Sequence, residues 1–284
     1  MILLTLLPLA LAAKLPPYRY TLSDTAAPND PAAYKYTTWP VKTMLYAANG
    51  NTAVFYAAGG DRSTTLGFGD VVKVEEVGAT EQIDDRVDSW YRVSGARSGW
   101  VFGGDLTPYR WEADLDGDGE KELATAAWRS DFSVRVRVFE PNLRAGATMQ
   151  LDVEAAGGAF LSQSGSDLTA DLVPASKAGI PLIHLHLGVE ACADFRDDWI
   201  SYTSEGTTKI GQEHAALSLL GLMDPPSSST FKVEFSGKRS TAYVERETAK
   251  QDDSGTSIPP EITHARYVLR NGVYYQEKDG AVSR

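Results

Sequence analysis

The sequence predicts an all-β protein. Three observations carry this expectation. Short runs alternate apolar and polar residues, Gly-rich and Asn-Gly turns separate them, and no segment of useful length repeats at the helical period. VRVRV shows the alternation: Val134, Val136 and Val138 fall on one face of a strand, Arg135 and Arg137 on the other. The 284 residues suit two domains at the usual scale of roughly 100–200 residues each.

Residues 1–12 are expected to be a signal peptide. Ile2 to Leu11 are almost wholly apolar and end in Ala10-Leu11-Ala12, the small-residue pattern that signal peptidase accepts. The run is too short for a bilayer, which takes about 20 apolar residues. No Lys or Arg precedes it, so a buried first strand or an uncleaved anchor is the alternative. The mature chain is then exported, to the periplasm or beyond. No later stretch is long and apolar enough for a transmembrane helix, so no membrane insertion is expected after cleavage.

A net charge of −11 argues against nucleic acid, whose phosphates call for clustered Lys and Arg. It suits affinity for cations. The single cysteine, Cys192, allows no intrachain disulfide, and its apolar neighbours suggest burial.

Residues 13–36 form a Pro-rich lead. Prolines cannot donate ladder hydrogen bonds, so a tether or a strap over the first domain is expected. Residues 37–109 hold short strands between glycine turns. Asn49-Gly50 between two apolar runs is a hairpin signal. Val72, Val74 and Val77 alternate with polar neighbours and slip once near the end. Strands of this spacing suggest a small barrel.

Residues 110–284 read as a second β-rich domain, a sandwich or a partial propeller-like arrangement. Leu182, His184 and His186 oppose Ile183, Leu185 and Leu187 on one strand. DWISYTSEGTTKIGQ, TFKVEFSGKRSTAYVERETA and ARYVLRNGVYYQE are hairpin patterns. Short helical pieces are expected around Asp167–Lys177 and Glu213–Leu222.

The densest chemistry lies in DLDGDGEKEL, Asp114–Leu123. Asp114, Asp116, Asp118 and Glu122 crowd four carboxylates into nine residues, with Gly117 and Gly119 to permit tight turns. A hard dication relieves the repulsion, and Ca²⁺ suits an all-oxygen shell better than Mg²⁺, which keeps its waters. An EF-hand would place its closing acid at the twelfth position, which here is Thr125, and LATAAW reads as a strand. The closing acid falls at the ninth position, Glu122. The alternative is a metal-free acidic turn. All side-chain ligands come from one short loop, so the metal's role is expected to be structural.

Other chemistry is sparse. His184 and His186 share a strand face and could hold zinc with help from Glu190, Cys192, His214 or His264, although surface histidines are the commoner reading. No G-x-S-x-G nucleophile turn and no phosphate-binding glycine loop is present.

The order LGFGDVVKV, WYRV, GWVFGGDL resembles the bacterial SH3-like domain. That family typically ends in a Trp-Tyr-x-Val strand, a glycine turn, Gly-Trp-Val and a Leu a few residues on. Trp90, Tyr91, Val93, Gly99, Trp100, Val101 and Leu106 fill those places. The insert VGATEQIDDRVDS is longer and more acidic than the family pattern. The resemblance implies an SH3-like barrel at 37–109, with a groove for an extended peptide and a cell-wall peptide as its ligand. Trp39, Tyr46 and Trp100 are the groove candidates, while Trp90 and Val101 are expected in the core.

The carboxylate loop is similar to that of FG-GAP domains, where the ninth residue completes the shell. By that likeness Asp114, Asp116, Asp118 and Glu122 offer side chains and Glu120 its backbone carbonyl. With GVEAC-ADF-RDDWISYT and RYVLRNGVYYQE, the C-terminal part resembles exported bacterial proteins that join an SH3-like module to a calcium-loop β domain of the FG-GAP or VCBS kind. No second DxDxDG stretch occurs, so a complete propeller is not expected. The function expected is non-catalytic binding or scaffolding, with a cell-wall peptide or a protein as partner. The alternatives are a metal-assisted hydrolase centred on His184 and His186, and a purely structural exported domain.

Overall fold

The computed structural model describes residues 15–22, 34–84, 86–128, 134–140, 148–153, 166–189, 194–202, 216–222, 228–252, 254–278 and 281–283. The expected signal peptide lies outside the described residues, as do Glu190, Cys192 and His214. The described chain is all-β, as the period of two requires.

The described lead forms two strands, β1 (Tyr18–Leu22) and β2 (Tyr34–Tyr36), paired antiparallel. The next strands are β3 (Met44–Ala47), β4 (Thr52–Phe55), β5 (Arg62–Leu66), β6 (Val71–Ile83), β7 (Arg86–Gly95) and β8 (Gly99–Phe102). A 3₁₀ turn at Gly103–Asp105 leads into β9 (Leu106–Thr107). These strands curl into a half-barrel. Strand β3 pairs with β6 and β9, β6 with β7, β7 with β8, β8 with β4, and β4 with β5. Leu45, Val54, Leu66, Val72, Val74 and Val101 fill it and are fully buried. The slip expected after Val74 is a β-bulge between Val74 and Glu76.

One local expectation fails here. The chain does turn at Asn49-Gly50, but β3 and β4 do not pair with each other. The backbone before the turn is already engaged: the Ala47 N–H donates to Asp70 O at 3.0 Å and the Ala48 N–H to Asp105 O at 2.9 Å. Long-range partners win over the local hairpin.

A separate four-stranded antiparallel sheet follows, in chain order: β10 (Tyr109–Ala113), β11 (Glu122–Trp128), β12 (Val134–Phe139) and β13 (Thr148–Val153). Val134, Val136 and Val138 are fully buried, as their alternation predicts. Arg137, on the other face, is largely buried too. Its guanidinium reaches the Ala48 carbonyl at 3.3 Å and the Asn49 side chain, tying this sheet to the half-barrel.

The rest is an antiparallel meander: β14 (Ser166–Val173), β15 (Leu182–Val189), β16 (Asp194–Ile200), β17 (Leu217–Leu222), β18 (Ser229–Ser236), β19 (Thr241–Gln251), β20 (Ser257–Arg270), β21 (Val273–Lys278) and β22 (Ala281–Ser283). One helical turn, α1 (Ala175–Ala178), sits between β14 and β15. The longer helix expected at Asp167–Lys177 is therefore mostly strand. Leu168, Ala170 and Leu172 recur at a period of two and face a core, which a strand satisfies and a helix does not. Of the second expected helix, the described part is strand β17.

The lead is more than a strap. Strand β1 pairs with β14 and β2 meets β7, so the ribbon joins the meander to the half-barrel. Tyr18 is buried at the junction, its ring 5.4 Å from Trp39, 6.2 Å from Tyr109 and 6.5 Å from Trp128. One hydrophobic core runs through the half-barrel, the four-stranded sheet and one face of β14–β16, and a second lies between β14–β17 and β18–β21.

Candidate cation site and histidine cluster

The loop 114–121 connects β10 to β11. Gly117 and Gly119 have φ of 86° and 95°, values that cost other residues strain, and a Cβ at either would meet open space. Glycine is therefore needed for the backbone, not for room. The loop folds onto its own acids. Asp114 accepts the Gly117 N–H at 2.7 Å and the Gly119 N–H at 3.1 Å. Asp116 accepts the Asp118 N–H at 3.1 Å, and Asp118 the Glu120 N–H at 2.7 Å.

Leu115 is buried and pins the loop inward. Its N–H donates to Oε2 of Glu122, which is 0% exposed. The other oxygen of that carboxylate, Oε1, is buried without a hydrogen-bond partner. Burial pushes Glu122 up to about 7; the Leu115 N–H pulls it back, and the charges of Asp116, Glu140 and Asp118 raise it further. Asp114, Asp116 and Glu122 each present an oxygen within 4.8 Å of the others. Three of the expected ligands thus converge. Asp118 is exposed and spends one oxygen on the turn, and the Glu120 side chain is exposed.

A fourth acid stands beside them. The β11–β12 register ends with Leu123 paired to Phe139, and Glu122 and Glu140 are the next residue on either side of that last pair. Glu140 is 3% exposed. The hydroxyl of Tyr202, just past β16 and also buried, donates to Glu140 at 3.4 Å. Burial and then the charges of Glu140, Asp116 and Glu122 push that hydroxyl well above the usual range. Sequence reading did not single out Glu140. The signal was its place: it continues the inward series Val134, Val136, Val138.

The histidines build a different cluster. On neighbouring strands, Asp171 lies opposite His184, His184 opposite Trp199, and His186 opposite Asp197. His184 has Asp171 on Nδ1 at 2.7 Å and Asp197 on Nε2 at 2.6 Å, while Nδ1 of His186 lies 3.1 Å from Asp197. Burial alone would lower His184, but its hydrogen bonds and charge contacts with Asp171 and Asp197 outweigh that and lift it to about 9. Burial would raise Asp197, yet the two histidines hold it below the usual carboxylate range. A pocket of about 350 Å³ opens beside this cluster, floored by Trp199, Phe231 and Phe235. His264 lies on exposed β20 opposite Glu245.

The groove candidates separate. Trp39 is 1% exposed and packs against Tyr18, and its backbone N–H donates to Tyr91 Oη at 2.9 Å; it is core, because its indole completes the junction beneath the lead. Tyr46 and Trp100 are half-buried on β3 and β8, which do not pair. Arg110 covers the Tyr46 ring at 5.8 Å, and Trp100 lies against Gly78, where a Cβ would come within 2.5 Å of the indole. Trp90 and Val101 are core, as expected. Comparison with known protein families, with characterised proteins and with solved structures finds no match.

Proposed function

We propose that this chain is an exported, non-catalytic binding or scaffold protein whose fold is stabilised by one Ca²⁺ ion. The observation that carries the metal half is the free Oε1 of fully buried Glu122, set among Asp114 and Asp116. A buried carboxylate oxygen without a donor is costly, and a hard cation is the partner its neighbours can share. Asp114, Asp116 and Glu122 would bind it with side chains, Asp118 with its remaining oxygen and Glu120 with its carbonyl. The ion would neutralise the loop and fix the β10–β11 connection.

The binding half rests on the half-barrel. Its last strand, β9, follows a 3₁₀ turn and returns to pair with the first, β3. That chain path supports the SH3-like reading. Tyr46, Trp100 and the 76%-exposed Tyr56 offer aromatic surface to an extended cell-wall peptide or a protein partner. Among the described residues no helix is long and apolar enough to cross a membrane.

The hydrolase alternative has less support. Both ring nitrogens of His184 already face carboxylates, so a zinc ion there would have to displace Asp197 or Asp171. The testing experiment is thermal melting in EGTA and in Ca²⁺, with a peptidoglycan pull-down beside it. A Ca²⁺-dependent rise in Tm is expected, with retention on peptidoglycan that weakens in Trp100→Ala. An unchanged melting curve overturns the metal reading, and no retention overturns the wall-peptide reading.

A further inference from the structure

We propose that Glu140 and Tyr202 belong to the same cation site, so that two sheets hold the ion and not one loop alone. This rests on the calcium reading of 114–122 and extends it to residues outside the loop. The first support is position. The β11–β12 ladder ends at Leu123 and Phe139, and Glu122 and Glu140 are the next residue on either side of that last pair, 0% and 3% exposed. Like charges on neighbouring chains repel, and more so when buried. A shared cation turns that repulsion into cross-strand attraction.

The second support is the same orphaned oxygen that carries the loop reading. Glu122 keeps one oxygen without a partner, on the face it shares with Glu140. The third is the reach of Tyr202. It lies just past β16, in the meander, and gives its hydroxyl to Glu140, just past β12 of the four-stranded sheet. Glu140 is thereby held beside the trio, and lies outside the 4.8 Å group that Asp114, Asp116 and Glu122 form. It acts on the ion by its charge and through a bridging water, as one position of many calcium loops does. Tyr202 is a positioning residue. The chemistry that fits is a large divalent cation of flexible coordination, since Mg²⁺ demands a tight octahedron that this spread of acids does not offer.

Calorimetric titration of the full chain with CaCl₂, combined with amide hydrogen exchange, tests this. Glu140→Gln is expected to weaken Ca²⁺ binding about tenfold and Tyr202→Phe two- to fivefold. Glu112→Gln, which removes an equal charge from an exposed position on β10, should change it less than twofold. Calcium should slow exchange in 114–123 and also at 200–202. In Glu140→Gln the slowing should persist in the loop and vanish at 200–202. If Glu140→Gln binds within twofold of the parent and protection stays confined to the loop, the proposal falls while the loop site stands. If the parent binds no Ca²⁺, both fall.

Discussion

The imidazole of His184 lies flat on the indole of Trp199, ring centroids 4.7 Å apart and planes 7° from parallel. With a carboxylate on each ring nitrogen, the arrangement holds a protonated ring: two N–H donors, two acceptors, and an aromatic face beneath the cation.

That geometry sets a pH dependence. His184 sits at about 9 when folded, above the ordinary value near 6.5 of an unfolded chain. Its stabilisation is fully present below about pH 6.5 and is lost as pH rises toward 9. Urea denaturation at pH 6 and pH 9 should show a loss of roughly 2 kcal/mol. His184→Gln should flatten the difference. An equal slope in the variant would place its origin elsewhere.

Glu122 gives a prediction of opposite signs. Glu122→Gln removes a buried charge that lacks a full set of donors, so the metal-free protein should melt higher than the parent by a few degrees. The same change should abolish the rise in Tm on adding Ca²⁺. Calorimetric scans in EGTA and in Ca²⁺ check both halves together.

The two loop glycines should be sensitive for backbone reasons alone. Gly117→Ala and Gly119→Ala meet no steric obstacle, yet each forces an alanine to positive φ at a cost of about 1 kcal/mol. Chemical denaturation should show the loss, and calcium affinity should fall with it. A neutral effect would mean the loop relaxes to another turn.

Tyr18 tests the lead. Removing its ring in Tyr18→Ala should cost about 3 kcal/mol, as for other large aromatic side chains in a core. Tyr18→Phe should cost much less, since its hydroxyl bond to Leu106 O is long, at 3.4 Å. Equal losses in the two variants would put the weight on the hydroxyl. No loss in either would make the ribbon an ornament.

Strand after strand was legible because burial on one face writes a period of two, and Val134, Val136 and Val138 show it most plainly. What was not legible was partner choice. Asn49-Gly50 turns the chain, but the residues before it bond to Asp70 and Asp105, which no local pattern announces. The helix expected at 167–177 failed because Leu168, Ala170 and Leu172 keep a period of two, and β14 pairs with β1 and β15 along that face. The acidic loop stood out through density of charge, and the structure gathers three of its acids. Glu140 was hidden because a single acid before a proline looks like a strand end. Only its place one residue beyond the last β11–β12 pair, Leu123 with Phe139, sets it beside Glu122.

The ribbon of the lead has a consequence for how the chain assembles. Arg19 pairs with Asp167, 148 residues later in the sequence. Strand β1 can pair with nearby β2 early, but its other edge waits until β14, well over a hundred residues later, has been made. Such distant contacts make folding slow, and they leave an unpaired strand edge exposed while synthesis continues. The polypeptide reaches its final form as a whole, from an N-terminal clasp that shuts only after the strands it spans are in place.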